Sequence, residues 1–133
     1  MFLKLTKKVN PAKVPRAQFS TKSKMYASEA FVETLQAKGV TDIFGILGSA
    51  YMDALDIMPA AGIRFISCQH EQNSAHMADG YYRVSGRTGS CIAQNGPGVT
   101  NFITGLLAAK YANSPMVAIT PEAGTMGIGH GGF

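Results

Sequence analysis

Short apolar runs alternate with longer amphipathic stretches along this chain, and the alternation starts only at residue 25. The runs 42–47, 64–69, 89–94 and 116–120 are five or six residues long and bounded by Gly, Pro or polar residues, the length and punctuation of buried strands. Segments at helical spacing lie between them. In 27–38, Ser28 and Glu29 suit a first turn, Ala30, Phe31, Thr34 and Leu35 share a face, and Gly39 supplies the stop. A second helical stretch runs to Ile57 and ends before Pro59 and Gly62, a third runs from His70-Glu71 to Val84, and a fourth covers 99–112. This alternation predicts an α/β fold, a doubly wound, mainly parallel sheet with helices on both faces. In such a sheet the loops at the carboxyl ends of the strands converge on one edge, where ligands bind. Gly48, Glu71, residues 95–98 and Glu122 fall on that edge.

Composition narrows the class. A chain of 133 residues that is 46% hydrophobic is one globular domain in size. Its net charge of +4 suggests a polyanion partner until the positions are examined. Residues 1–24 hold seven of the twelve basic side chains and no acid, whereas from Met25 onward five bases face all eight acids, a net charge of −3. Nucleic acid is therefore not an expected partner. The basic segment 1–24 reads either as a disordered extension or as a transit segment. Lys4, Lys7 and Lys8 interrupt any apolar run of the kind a secretory signal needs. No window reaches the roughly 18 consecutive apolar residues of a membrane span. The expected location is cytoplasmic, or mitochondrial if 1–24 is a transit peptide. Cys68 and Cys91 are too few for a disulfide scaffold, and both fit buried strand positions. Residues 127–133 form a glycine-rich stretch with no helix or strand after it, so the domain is expected to be incomplete at that end.

Among candidate chemical groups, Glu71 stands at a strand-to-helix junction that points into the ligand edge. It reads equally as a functional carboxylate and as a first-turn acid favoured by the helix dipole, an effect of about 0.3–1 kcal/mol. The helix it opens is not a zinc-protease helix, because H-E-x-x-H would need histidine where Ser74 stands, and His70 and His76 lie on different helix faces. No metal ligand set is expected in the chain. Gly127, Gly129 and Gly132 satisfy G-x-G-x-x-G literally but precede no helix. In Asn95-Gly96-Pro97-Gly98-Val99-Thr100-Asn101, the glycines permit close approach of backbone to a planar ligand and Pro97 fixes the turn. The same segment also reads as an ordinary strand-to-helix loop with Thr100 or Asn101 capping its helix.

Taken together, FGILGSAYMDALD (44–56), HEQNSAHMADGYYR (70–83) and NGPGVTNFITGL (95–106) resemble, in order, the pyrimidine-binding domain of thiamine-diphosphate enzymes of the acetolactate-synthase branch. The resemblance covers residues 25–133. Within the branch, the wording of 28–56 and of TPEAGTMGIGHGGF (120–133) is most similar to sulfoacetaldehyde acetyltransferases, although acetolactate synthases carry Pro-Gly-Gly where this chain has Leu47-Gly48-Ser49. The resemblance implies that Glu71 hydrogen-bonds the cofactor's pyrimidine N1′ and so lets the aminopyrimidine deprotonate the thiazolium C2. That role calls for a carboxyl shielded from water. It further implies that Gly96, Pro97 and Asn101 lie beside the pyrimidine, that Ile46, Leu47, Gly48 and Ser49 form the turn facing it, that Gln94 borders the same site, and that Phe133 lines the substrate entrance.

The implied cofactors are thiamine diphosphate and Mg²⁺, the metal being held with the diphosphate by a domain beyond Phe133. The intact protein is implied to be a homodimer or homotetramer with a small-molecule substrate. The implied reaction converts sulfoacetaldehyde and phosphate to acetyl phosphate and sulfite, in taurine or other C2-sulfonate breakdown. Two alternatives stay open: an acetolactate synthase-type carboligase of 2-oxo acids, and a non-catalytic remnant that keeps only the fold.

Overall fold

The computed structural model describes residues 24–131; residues 1–23, Gly132 and Phe133 lie outside them. Ten elements follow the expected alternation: α1 (Ala27–Ala37), β1 (Asp42–Gly45), a 3₁₀ turn (Ser49–Tyr51) running into α2 (Met52–Ile57), β2 (Arg64–Ser67), α3 (Glu71–Ser85), β3 (Gly89–Ile92), α4 (Pro97–Asn101), α5 (Ile103–Tyr111) and β4 (Met116–Ile119). The four strands form one parallel sheet in the order β2-β1-β3-β4. The chain therefore winds outward from β1 to β2, then crosses back to β3 and on to β4. Right-handed crossovers in opposite directions put the connecting helices on opposite faces.

Two apolar layers result, and the central strands feed both because successive side chains point to opposite faces. On one face, Ile43 and Ile92 pack with Val32, Leu35, Ala54 and Met58 of the α1 and α2 region. On the other, Phe44, Cys91 and Ala93 pack with Ala75, Ala78 and Phe102. The second layer is built from small side chains, and α3 is drawn close as a consequence. A Cβ on Gly89 would stand 2.1 Å from the Ala78 carbonyl oxygen, and one on Gly105 would stand 2.4 Å from Ala75 Cβ. Thus α3 is clamped between β3 and α5, with its N-terminus held at the carboxyl edge of the sheet. Its other end stops at Gly86, whose φ of 71° is the left-handed conformation that glycine adopts without steric cost.

Several expectations are refined. The strands pair over four residues rather than five or six, because at the carboxyl edge the backbone turns away into the loops that carry the candidate site. The stretch 99–112 divides at the fully buried Phe102, whose N–H bonds to Val99 three residues back, a local tightening that separates α4 from α5. On α1 the buried positions are Val32 and Leu35, whereas Thr34 is exposed and returns its hydroxyl to the Ala30 carbonyl. Cys91 is a buried strand residue as expected; Cys68 is only half-buried, one position beyond β2, with its thiol directed to the Gly45 carbonyl at 3.2 Å. No described helix is long and apolar enough to cross a membrane.

Two outcomes follow from this packing. Gly89→Ala is expected to cost more than about 3 kcal/mol, read as a shifted urea midpoint, because the Ala78 backbone it would strike cannot rotate aside. Asp79, buried on α3, receives two hydrogen bonds from Arg83 at 3.0 and 2.8 Å. These, with Ser114, hold its carboxyl below the usual carboxylate range. The associated stability is present above the unfolded value of about 4 and is lost as pH falls through the lower folded value. Asp79→Asn should therefore flatten the acid limb of a stability–pH profile.

Candidate functional site

The central strands β1 and β3 are hydrogen-bonded neighbours, with Gly45 opposite Ile92, yet their chains depart to opposite sides of the sheet. Such a switch point opens a crevice between the two following loops. After β1 come Ile46, Leu47, Gly48 and Ser49, the last opening the 3₁₀ turn; after β3 come Gln94, Asn95 and Gly96, and then Pro97 and Gly98 at the start of α4. They touch through Gln94, whose Oε1 accepts the Ala50 N–H at 3.3 Å. The same oxygen would lie 2.4 Å from a Cβ on Gly48, so the loops meet this closely only because residue 48 lacks a side chain.

Glu71 enters from the α3 side as the first residue of that helix. His70 caps the helix, its Nδ1 accepting the Gln72 N–H at 3.2 Å, so the first turn is fixed and the Glu71 side chain with it. The carboxylate is half-buried. Its Oε2 accepts a hydrogen bond from Asn101 Nδ2 at 3.0 Å, across thirty residues of sequence. Its Oε1 has no donor among the described residues, and a Cβ on Gly98 would lie 3.5 Å from it. One carboxylate oxygen is therefore anchored while the other faces the bare α-carbon of a glycine. Beside it, Gly96 adopts φ 65° and ψ −122°, a conformation reserved for glycine, and Pro97 occupies the first position of α4.

The structure thus brings together Glu71, Gln94, Gly96, Pro97, Asn101 and the 46–49 turn. Phe133 lies outside the described residues. Two alternatives are resolved. Neither Thr100 nor Asn101 caps α4: Thr100 bonds back to the Pro97 carbonyl at 2.9 Å, and Asn101 ends the helix with its amide on Glu71. Glu122, expected on the same edge, is exposed and accepts the N–H of Ala123 at 2.9 Å. Asn95, on the edge as expected, is buried with its Oδ1 lacking any partner, the sole such buried side-chain atom among the described residues. One residue escaped the sequence reading. Tyr51 is buried beneath Gly48 and donates its hydroxyl to the Ile46 carbonyl. A tyrosine directly after a Gly-Ser-Ala turn was the available signal.

These features suit a flat, hydrogen-bonding heterocycle: a carboxylate oxygen without a donor, an unsatisfied buried amide oxygen, and a loop of glycines that admits a ring against backbone. Among the described residues no group of three or more His, Cys, Asp or Glu could hold a metal ion. Residues 25–133 match the family described as thiamine pyrophosphate enzyme, N-terminal TPP binding domain. The chain belongs to that family. Sulfoacetaldehyde acetyltransferases from Alcaligenes xylosoxydans xylosoxydans and Castellaniella defragrans are 64% and 63% identical to it over 110 and 109 residues, covering 83% and 82% of this chain. The large subunit of acetolactate synthase isozyme 2 from Escherichia coli is 42% identical over 109 residues, 82% of this chain. The matched region is 18% of each of the first two relatives and 20% of the third, so the chain spans about a fifth of their length.

Because residue 48 is where the two loops interlock, Gly48→Ala should displace Gln94 and break its bond to Ala50. The expected loss is about 1–3 kcal/mol, with faster hydrogen exchange at the Ala50 amide than elsewhere in the sheet.

Proposed function

We propose that this chain forms the pyrimidine side of a thiamine diphosphate site in an acyl-transfer enzyme that converts sulfoacetaldehyde and phosphate to acetyl phosphate and sulfite. The observation that carries the reading is the divided carboxylate of Glu71, with Oε2 held by Asn101 and Oε1 open beside Gly98. Asn101 Nδ2 can only donate, so a proton on this carboxyl resides on Oε1, the oxygen aimed toward the ligand space. Glu71 is then placed to share a proton with a ring nitrogen. Gly96, Pro97 and Gly98 would border the ring on one side and the Ile46–Ser49 turn on the other, while Gln94 ties the two loops together. Asn101 works through Glu71 rather than on the ligand directly. When bound, thiamine diphosphate would supply the carbon nucleophile that this chemistry needs, and Glu71 would hold the proton on its pyrimidine side.

In the same reading, Mg²⁺ and the diphosphate are held by other residues of the intact protein, a homodimer or homotetramer working in the cytoplasm in taurine or other C2-sulfonate breakdown, and Phe133 lines the substrate entrance. The identity of 64% to a sulfoacetaldehyde acetyltransferase against 42% to an acetolactate synthase favours this substrate over 2-oxo acids.

A hybrid carrying residues 25–133 in place of the matching segment of the Alcaligenes relative provides the test. It should release sulfite from sulfoacetaldehyde in a phosphate-dependent manner; acetolactate from pyruvate without sulfite would reverse the choice of substrate. Glu71→Gln in the hybrid should lower kcat by roughly 10²–10⁴-fold, the span of a lost general acid–base group. Full activity of that variant would remove the central assignment. Asn101→Asp, which sets a second carboxylate against Oε2, should impair turnover more than Asn101→Ala.

A further inference from the structure

One buried ionisable group at the carboxyl edge has no part in the scheme above, the phenol of Tyr51. Tyr51 ends the 3₁₀ turn between β1 and α2 and is 8% exposed. Its hydroxyl donates to the Ile46 carbonyl, at the start of the turn that faces the ligand space. Its ring underlies that turn, since a Cβ on Gly48 would come within 2.7 Å of Cε1 and 2.8 Å of Cζ. The same Cβ would meet Gln94 Oε1, and the stem of Gln94 continues the line: its Cβ lies 3.6 Å from where a Cβ of Gly98 would stand, as Glu71 Oε1 lies 3.5 Å from that point. Tyr51 and Gln94 Oε1 thus crowd the same side of Gly48, and the Gln94 stem and the open oxygen of Glu71 both flank the Gly98 α-carbon, so neighbouring groups run from Tyr51 to Glu71.

We infer that Tyr51 is a positioning residue: with its hydroxyl on Ile46 and its ring under Gly48, it fixes the spacing between the Ile46–Ser49 turn and the Glu71 carboxylate. That spacing is the gap a planar heterocycle enters, so the inference rests on the reading of the site as a thiamine diphosphate site. A tyrosine serves because its ring is rigid beyond two torsions and its hydroxyl reaches a carbonyl that an aliphatic side chain would leave without this donor. Burial first, and then the charges of Glu71 and Cys68, push the phenol up to about 12, so it remains a protonated donor throughout the neutral range.

The full chain, labelled for NMR, supplies the test. In Tyr51→Phe, hydrogen exchange at the Ala50 and Tyr51 amides should accelerate roughly tenfold, about the effect of one lost hydrogen bond, while amides of β3 keep their protection. The Glu71 carboxyl carbon resonance should move in that variant and stay in place in Tyr26→Phe, a control at an exposed tyrosine. From the other side, Glu71→Gln should lower the titration midpoint of the Tyr51 ring from about 12, because removing a neighbouring negative charge eases ionisation. An unmoved Glu71 resonance, an unchanged Tyr51 midpoint, or exchange that rises uniformly across the sheet would overturn the inference and leave Tyr51 an ordinary core residue. None of these measurements involves thiamine diphosphate. Their failure is thus separate from failure of the hybrid enzyme, which bears on the proposed function alone.

Discussion

The carboxyl edge of this domain depends on the pairing of β1 with β3. Parallel strands cannot be joined by a tight turn, so β1 first goes out to β2, and α3 then carries the chain back across the sheet to β3. The pairing is tight: a Cβ on Gly45 would stand 2.4 Å from the Ile92 carbonyl oxygen, and the two loops emerge side by side as a result. One loop leads to α2 and the other to α4 and α5, on opposite faces of the sheet. The place where they meet is thus a consequence of strand order. What the particular side chains add is the means of filling it: glycines where backbones converge, and one carboxylate delivered by α3.

Much of this was legible from the chain itself. The alternation of apolar runs and helical spacing places all four strands and the start of α3, because buried parallel strands are short, continuous and apolar while their helices carry amphipathic spacing. Glu71 is assigned to the edge from its junction alone. The partner of Glu71 was harder to read. Asn101 lies thirty residues away, and a local reading leaves it as a helix cap or a member of the glycine loop, since asparagine beside Gly-Pro-Gly satisfies both patterns. Only the clamping of α3 against α5, through Ala75 and Gly105, brings the amide to the carboxylate. Tyr51 was missed for a related reason: its role depends on what lies above its ring, and an aromatic in an apolar stretch reads simply as core. Thr34 and Val32 exchange inside and outside: Val32 and Leu35, with Phe31 beside them, are the α1 residues in the core, and Thr34 satisfies its hydroxyl on the Ala30 carbonyl of its own helix.

The choice of a neutral amide to hold Glu71 bears on what the carboxylate can do. An arginine at position 101 would grip both oxygens in a fork and leave neither for a ligand. A single amide donor to a charged acceptor contributes about 1.5–3 kcal/mol, enough to fix the side chain, and it occupies one oxygen only. Orientation is thus provided without a counter-ion, and Oε1 is left without a donor among the described residues. Many unrelated activities share doubly wound sheets, so strand order alone implies no reaction. The asymmetry between the two oxygens of Glu71, one held by Asn101 and one without a donor among the described residues, is the feature on which the proposed acid–base role rests.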